Sequence, residues 1–230
     1  MYVMTIFALQ EFMRGRPAFK LALPIKMWNL FVAVMSGVCA VILTPEYFDT
    51  MINKGYSASV CSSQDSFFRG NNGWAVFILA FARLPEYIDT LFIVLRKRPL
   101  LFIHWYHHAL TIVISWYTFS QGVAGVRHGM YANAIIHTFM YSYYFFCAMR
   151  LFPPPFIARS ITIIQILQFI WVFYSLAHMT VLRYVMGEPC EVDHVSMALS
   201  WIMDLSYLYL FVDFYVNKYK GESTTAKKID

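Results

Sequence analysis

Charge is what this 230-residue chain has least of. Only 13% of its residues are Asp, Glu, Lys or Arg, while 59% are hydrophobic. A soluble globule carries about a quarter charged residues, so this chain cannot coat itself with a water-facing surface. The low hydrophobicity that marks disorder is equally missing. A basic surface for nucleic acid is missing too: the net charge is +5, but the basic residues fall in short clusters between apolar runs. There is no N-x-[ST] site, and no basic stretch with a small-residue cleavage site of the kind that frames a secretory leader. What these absences leave is an all-α polytopic membrane protein.

A helix needs about 20 mostly apolar residues to cross the hydrocarbon core. Six runs read as full transmembrane helices: 27–44, 74–95, 100–119, 130–148, 160–182 and 195–216. Residues 1–13, MYVMTIFALQEFM, are apolar but too short to span and read as a truncated first helix. The chain thus divides into a partial helix at 1–13, a basic loop at 14–26, a six-helix domain at 27–216 and a tail at 217–230. Arg14, Arg16, Lys20 and Lys26, then Arg96, Lys97 and Arg98, then Arg150 and Arg159, and the basic tail all fall on one side. The positive-inside rule makes that side, and with it the C-terminus, cytosolic. Cys61 and Cys190 fall in loops on the other side, where a disulfide can persist, although sequence alone does not pair them. Cys39 and Cys147 lie inside runs and read as small apolar fillers.

Ionisable groups within membrane helices are costly and mark function by default. Here they collect in the cytosolic half. His104, His107 and His108 (HWYHH) share one helical face, roughly 6–12 Å below the cytosolic edge at the α-helical rise. The preceding run carries Arg83, Glu86, Asp89 and Thr90 in RLPEYIDT. The next carries Asn133, His137, Tyr141, Tyr143 and Tyr144; Thr162, Gln165 and Gln168 follow, and Asp204 lies a little deeper on the last. Each has a plainer reading. Gln165, Gln168, Tyr143 and Tyr144 suit interhelical hydrogen bonds, and Glu86 and Asp89 suit an internal salt bridge to Arg83. Three histidines on one face opposite two carboxylates are harder to explain as packing. His128, His178 and His194, toward the other side, receive no role.

Three chemistries compete for this cluster. A histidine-box metal-dependent lipid oxygenase would need about eight imidazoles for two irons, and the chain has seven histidines, three of them on the wrong side. A single metal ion on His104, His108 and Asp89 is the smaller version of that reading. Alternatively, a neutral imidazole attacks an acyl thioester and holds the acyl group, with a neighbouring His or Asp setting its tautomer. An apolar tunnel would then hold the acyl chain, and Arg96, Lys97 and Arg98 would meet a phosphorylated carrier. A transporter is the non-enzymatic reading, and the off-centre position of the cluster weighs against it.

The motifs resemble those of the ELO fatty acid elongases, the 3-oxoacyl-CoA synthases of the endoplasmic reticulum. That family's HxxHH box is similar to His104–His108, and its KxxExxDT motif to Arg83–Thr90. Its NxxxHxxMYxYY motif matches Asn133–Tyr144 unchanged, and its TxxQxxQ motif matches Thr162–Gln168. The tail KKID resembles a dilysine retrieval signal through Lys227 and Lys228. Two positions depart from the pattern: Arg83 replaces Lys, which is not a neutral swap at a specific contact, and Tyr87 stands where Leu is usual.

The resemblance implies a seven-helix fold with a six-helix barrel around an acyl tunnel, and a luminal disulfide that Cys61 and Cys190 would fit. It implies condensation of malonyl-CoA with a long-chain acyl-CoA, giving 3-oxoacyl-CoA, CoA and carbon dioxide through an acyl-histidine. His107 is the expected acyl acceptor and His137 its facing partner, with His104 and His108 orienting and moving protons. Glu86, Asp89, Asn133, Tyr141, Tyr144, Gln165 and Gln168 support them, and Arg83, Arg96, Lys97 and Arg98 are the expected CoA contacts. No metal or redox cofactor is implied. The expected partners are the bilayer, the two CoA substrates, and the reductase and dehydratase of the elongation cycle; a homodimer is allowed. The Trp105–Tyr106 pair resembles members acting on saturated and monounsaturated chains.

Overall fold

The computed structural model describes residues 1–62 and 66–220. Among them nine α-helices follow one another, and there is no strand. These are α1 (Tyr2–Met13), α2 (Ala22–Asp49), α3 (Tyr56–Cys61), α4 (Gly70–Ala82) and α5 (Tyr87–Leu95), then α6 (Phe102–Ser120), α7 (Val126–Ala148), α8 (Pro155–Tyr184) and α9 (His194–Tyr215). Five-residue π-helical turns extend α2 over Thr50–Lys54 and α9 over Val216–Lys220. By length and composition three helices are able to cross a membrane: α2 with its extension, α8, and α9 with its extension. The histidines of α6 and the polar side chains of α7 lower the hydropathy of the other two long helices. The expected run 74–95 is not one helix. Pro85 has no N–H to donate and its ring crowds the preceding turn, so α4 stops at Ala82 and α5 restarts at Tyr87. The expected retrieval signal, Lys227 and Lys228, lies outside the described residues.

The long elements close on themselves. α2 packs along α7, α7 on α8, α8 on α9, α9 on α6, α6 on α4, and α4 back on α2. The result is a six-membered helical barrel, with α1 outside it against α5 and α6. In lipid, apolar surface gains little by leaving the solvent, so close packing of small residues holds helices together. The α2–α7 seam follows that rule: Ala33, Ser36, Cys39 and Ala40 of α2 and Ala134 of α7 are all buried. At Gly37 an added Cβ would already touch Thr138 Cγ2 at 3.4 Å.

The two ends of the barrel are finished differently. At one end a disulfide joins Cys61, at the close of α3, to Cys190 in the α8–α9 loop, with Cα atoms 4.2 Å apart. Backbone bonds reinforce it, from Glu191 N to Cys61 O at 2.8 Å and from Ala124 N to Glu191 O at 3.0 Å. Beneath it lies a buried ion pair, Arg127 Nη2 to Glu46 Oε1 at 3.0 Å. Arg127 also donates to the Ser59 and Ser62 carbonyls, and Ser66 Oγ donates to Glu46. His128 is enclosed between Tyr47 Oη and Ser59 Oγ, each at 3.1 Å.

The other end carries the basic loops. There α5 and α7 finish in the same backbone closure: Arg98 N bonds Ile93 O and Lys97 N bonds Val94 O, while Leu151 N bonds Phe146 O and Arg150 N bonds Cys147 O. Lys97 (φ 52°) and Arg150 (φ 64°) take the left-handed position that this closure usually gives to glycine.

Candidate active site

The break at Pro85 builds the first half of the site. At that break Arg83 and Glu86, three residues apart, meet at 3.0 Å, both buried. Arg83 also donates to Asn133 Oδ1 at 2.9 Å, tying α4 to α7. Glu86 Oε1 faces His137 Nδ1 at 3.5 Å, and neither atom has a hydrogen-bond partner. The plainer reading of Glu86 as a salt-bridge partner of Arg83 therefore holds for one oxygen, while the other is turned to a histidine. Asp89 does not join Arg83. Its two oxygens accept from Trp28 Nε1 at 2.7 Å and from Tyr141 Oη at 2.6 Å. Thr90 links α1 and α6, with its hydroxyl 2.7 Å from Tyr2 Oη and 3.0 Å from His104 Nε2.

The second half comes from α6. With His at i, i+3 and i+4, the three imidazoles share a face: the His104 and His108 rings are 4.5 Å apart, and those of His107 and His108 5.3 Å. The His107 ring lies 4.8 Å from that of Tyr207 on α9. Tyr207 Oη donates to the His107 carbonyl at 2.9 Å and sits 2.7 Å from Thr111 Oγ1. Tyr207 is thus a strut between α6 and α9 that holds the helical turn bearing His107.

Two cavities meet at this cluster. A wide one, about 710 Å³, reaches the basic end, where Arg96, Arg98, Lys218 and Tyr219 line it. His104, His108, His137, Asp89, Tyr141, Tyr144 and Gln165 line its depth. A narrow one, about 110 Å³ and mostly apolar, runs toward the disulfide end, past Ile114 and Leu176 to Val123 and Gly125. At Gly125 an added Cβ would stand 2.9 Å from Met179 Cε, so the floor is closed tightly. His107, Asn133, Gln168 and Phe169 line both cavities.

The structure therefore gathers the four site histidines, Asp89, Asn133, Tyr141, Tyr144, Gln165 and Gln168 around one space. Arg83 lines the narrow cavity and Glu86 is buried behind it. Of the expected CoA contacts, Arg96 and Arg98 are at the mouth, whereas Lys97 Nζ donates to the Arg14 carbonyl. Gln165 donates to Met140 Sδ at 3.4 Å, which fits its plainer interhelical reading as well. Among the described residues no three His, Cys, Asp or Glu side chains are arranged to hold a metal ion. Trp28, Thr111, Tyr207 and Tyr2 had no signal in the sequence, and Lys218 read only as part of the basic tail. A lone Trp or Tyr near a helix end reads as an interfacial anchor, and only the docking of α2 and α9 shows what each one touches.

Chemically the arrangement is a buried imidazole at the meeting of a wide polar chamber and a narrow apolar one. A second imidazole stands beside a carboxylate, and cationic side chains line the mouth. A family model described as ELO, the GNS1/SUR4 family, matches residues 1–227. A Caenorhabditis elegans protein named long chain fatty acid elongase 1 is 42% identical over 219 residues, 95% of this chain and 76% of that one. Another from the same organism, long chain fatty acid elongase 2, is 34% identical over 98% of this chain and 83% of its own. The Gallus gallus protein named very long chain fatty acid elongase 6 is 34% identical over 100% of this chain and 86% of its own.

Proposed function

The chain belongs to the GNS1/SUR4 family, and on that footing we propose that it is a fatty acid elongase whose reaction is the condensing step. The substrates are a long-chain acyl-CoA and malonyl-CoA, and the site lies in a multi-pass protein of the endoplasmic-reticulum membrane whose basic end and C-terminus face the cytosol. One observation carries the reading: His107 lines both the wide cavity and the narrow one. An acyl chain in the narrow cavity with its CoA in the wide one brings its thioester past that imidazole.

A neutral His107 nitrogen attacks the thioester carbon, and the C–S bond breaks to give an acyl-imidazole and CoA. The proton that the imidazole loses goes to the departing sulfur. Malonyl-CoA then occupies the wide cavity and loses carbon dioxide. The electron pair left on its α-carbon attacks the acyl carbon, the C–N bond breaks, and the departing imidazole nitrogen takes a proton from water in the wide cavity, which restores neutral His107. The product is 3-oxoacyl-CoA two carbons longer. A positioned acid–base pair contributes about 10²–10⁴-fold to such transfers, and Glu86 with His137 is placed for that work. Asp89, Trp28 and Tyr141 hold the helical turn opposite the histidines, and Arg96, Arg98 and Lys218 supply positive charge for the CoA phosphates. No redox cofactor enters these steps.

Incorporation of labelled malonyl-CoA into palmitoyl-CoA tests this, using the protein purified in detergent with EDTA and without NADPH. A 3-oxo product from the parent and none from His107→Ala is the expected result. Equal product from both would remove His107 from the chemistry. No product from folded parent protein on any long-chain acyl-CoA would overturn the condensing reading.

A further inference from the structure

One lining residue of the narrow cavity is a buried carboxyl with an oxygen left unanswered. Asp204 of α9 borders that cavity, is only 1% exposed, and its Oδ2 has no hydrogen-bond partner. The other buried carboxyls near the barrel axis are answered. Glu46 has Arg127 and Ser66, and Asp89 has Trp28 and Tyr141. Glu86 has Arg83 on one oxygen and, although its other oxygen makes no hydrogen bond, the His137 imidazole 3.5 Å from it. A polar group left unpaired in an apolar setting is costly, more so in a helix that is long and apolar enough to cross a membrane. Ser200, one turn away on α9, and Ser115 of α6 border the same cavity. Apart from His107, Asn133 and Gln168 at the junction, the cavity's remaining polar lining is answered: Arg83 by Glu86 and Asn133, Thr111 and Tyr207 by each other, and Thr118 by the Ile114 carbonyl. That leaves Asp204, beside Ser200 and Ser115, turned to the space.

Their depth follows from the Tyr207 strut. Tyr207 is fixed level with His107 by its bond to the His107 carbonyl. Asp204 precedes it by three residues, so it lies about 4.5 Å farther toward the disulfide end at the α-helical rise, and Ser200 about 6 Å beyond that. An acyl chain attached at His107 and extending into the narrow cavity passes these groups within its first several carbons.

We propose that Asp204, with Ser200 and Ser115, is a hydrogen-bonding station inside the acyl tunnel, and that the chain's acyl substrates include those bearing a hydroxyl in the half nearer the thioester. The proposal rests on the elongase reading. A hydroxyl is donor and acceptor at once, so it pairs with Oδ2 in either protonation state of the carboxyl. An unsubstituted chain strips water from Asp204 and returns nothing. A site built around a hydrogen bond rejects the analogue lacking it far more sharply than an apolar pocket rejects an extra methylene.

The test measures kcat/KM for label incorporation from malonyl-CoA with four acyl-CoAs of equal length: unsubstituted, and hydroxylated near the thioester, in mid-chain or at the methyl end. The expected result is about a tenfold or greater preference for the chain hydroxylated in the thioester half over the unsubstituted one. Asp204→Leu should erase that preference, and Asp204→Asn, which still hydrogen-bonds, should keep part of it. A flat profile in the parent overturns the station and leaves the elongase reading standing. So does the same preference in Asp204→Leu as in the parent, or folded variants inactive on all four chains, which would make Asp204 part of the framework. No product from the parent on any of the four overturns the elongase reading and the station with it.

Discussion

The two ends of this barrel are made by opposite means. At the disulfide end a covalent bond spans 129 residues of sequence, a buried Arg127–Glu46 pair holds backbone carbonyls in place, and the cavity narrows to its floor at Gly125 and Met179. At the basic end α5 and α7 are finished by backbone hydrogen bonds, with exposed side-chain bonds such as Lys97 Nζ to the Arg14 carbonyl, and the space is wide and lined with cations. The contrast suits a substrate with two unlike ends. A hydrocarbon chain requires a close-fitting tunnel, whereas a phosphorylated carrier requires room, water and positive charge. Fixing one end of the barrel lets the other stay open without loss of the fold.

That comparison can be broken most severely at the junction itself. His107→Ala should lower the condensation rate by about a thousandfold or more, the usual scale for losing a covalent nucleophile, with little change in thermal midpoint. The next largest effect belongs to the closed end and should appear as stability. Arg127→Met leaves Glu46 buried without its cation, at a cost of about 3–5 kcal/mol. Thermal unfolding in detergent measures this, and the double variant with Glu46→Leu should recover much of it. If Arg127→Met instead lowered kcat at an unchanged midpoint, the division of labour between the ends would be wrong. Cys61→Ser should cost about 2–4 kcal/mol, again as a lower midpoint, with turnover preserved at temperatures where the variant is folded.

The open end should respond in the reverse manner. Arg96→Gln with Arg98→Gln should raise KM for malonyl-CoA about tenfold, the equivalent of roughly 1.4 kcal/mol of lost attraction to phosphate. It should leave the midpoint within about half a kcal/mol of the parent, as exposed charges usually do. A large stability loss without a KM change would mean that these arginines serve the loop and not the carrier.

What could be read from the sequence was the local part. Spacing along one helix put His104, His107 and His108 on a common face and Arg83 within reach of Glu86, because i, i+3 and i+4 neighbours need no knowledge of the fold. Five of the six expected runs correspond each to one long helix, because apolar length is also local, whereas 74–95 is two helices broken where Pro85 sits in an otherwise apolar stretch. Relations between helices were not legible. That Asp89 accepts from Trp28 and Tyr141, and not from Arg83, depends on how α2 and α7 are rotated against α5, and packing sets that rotation, not apolar length. His128 receives no role in the sequence reading and proves to be part of the buried lock at the disulfide end.

The smallest predicted effect concerns the helix that lies outside the barrel. By position α1 would be expected to matter for stability alone, yet it touches the site: Tyr2 Oη bonds Thr90, which in turn bonds His104 Nε2, while the Tyr2 ring stacks on Tyr87 at 4.0 Å. Tyr2→Phe keeps the stacking and removes only the hydroxyl. If the chain of hydroxyls helps to set the orientation and tautomer of His104, kcat should fall about threefold, the rate equivalent of roughly 0.7 kcal/mol and typical of one net hydrogen bond. KM and the thermal midpoint should hold. Thr90→Val, which cuts the chain one link closer to the histidine, should cost more than Tyr2→Phe, and the two changes together no more than Thr90→Val alone. Additive effects would mean that Tyr2 acts through packing. In that case α1 belongs to the fold and not to the chemistry.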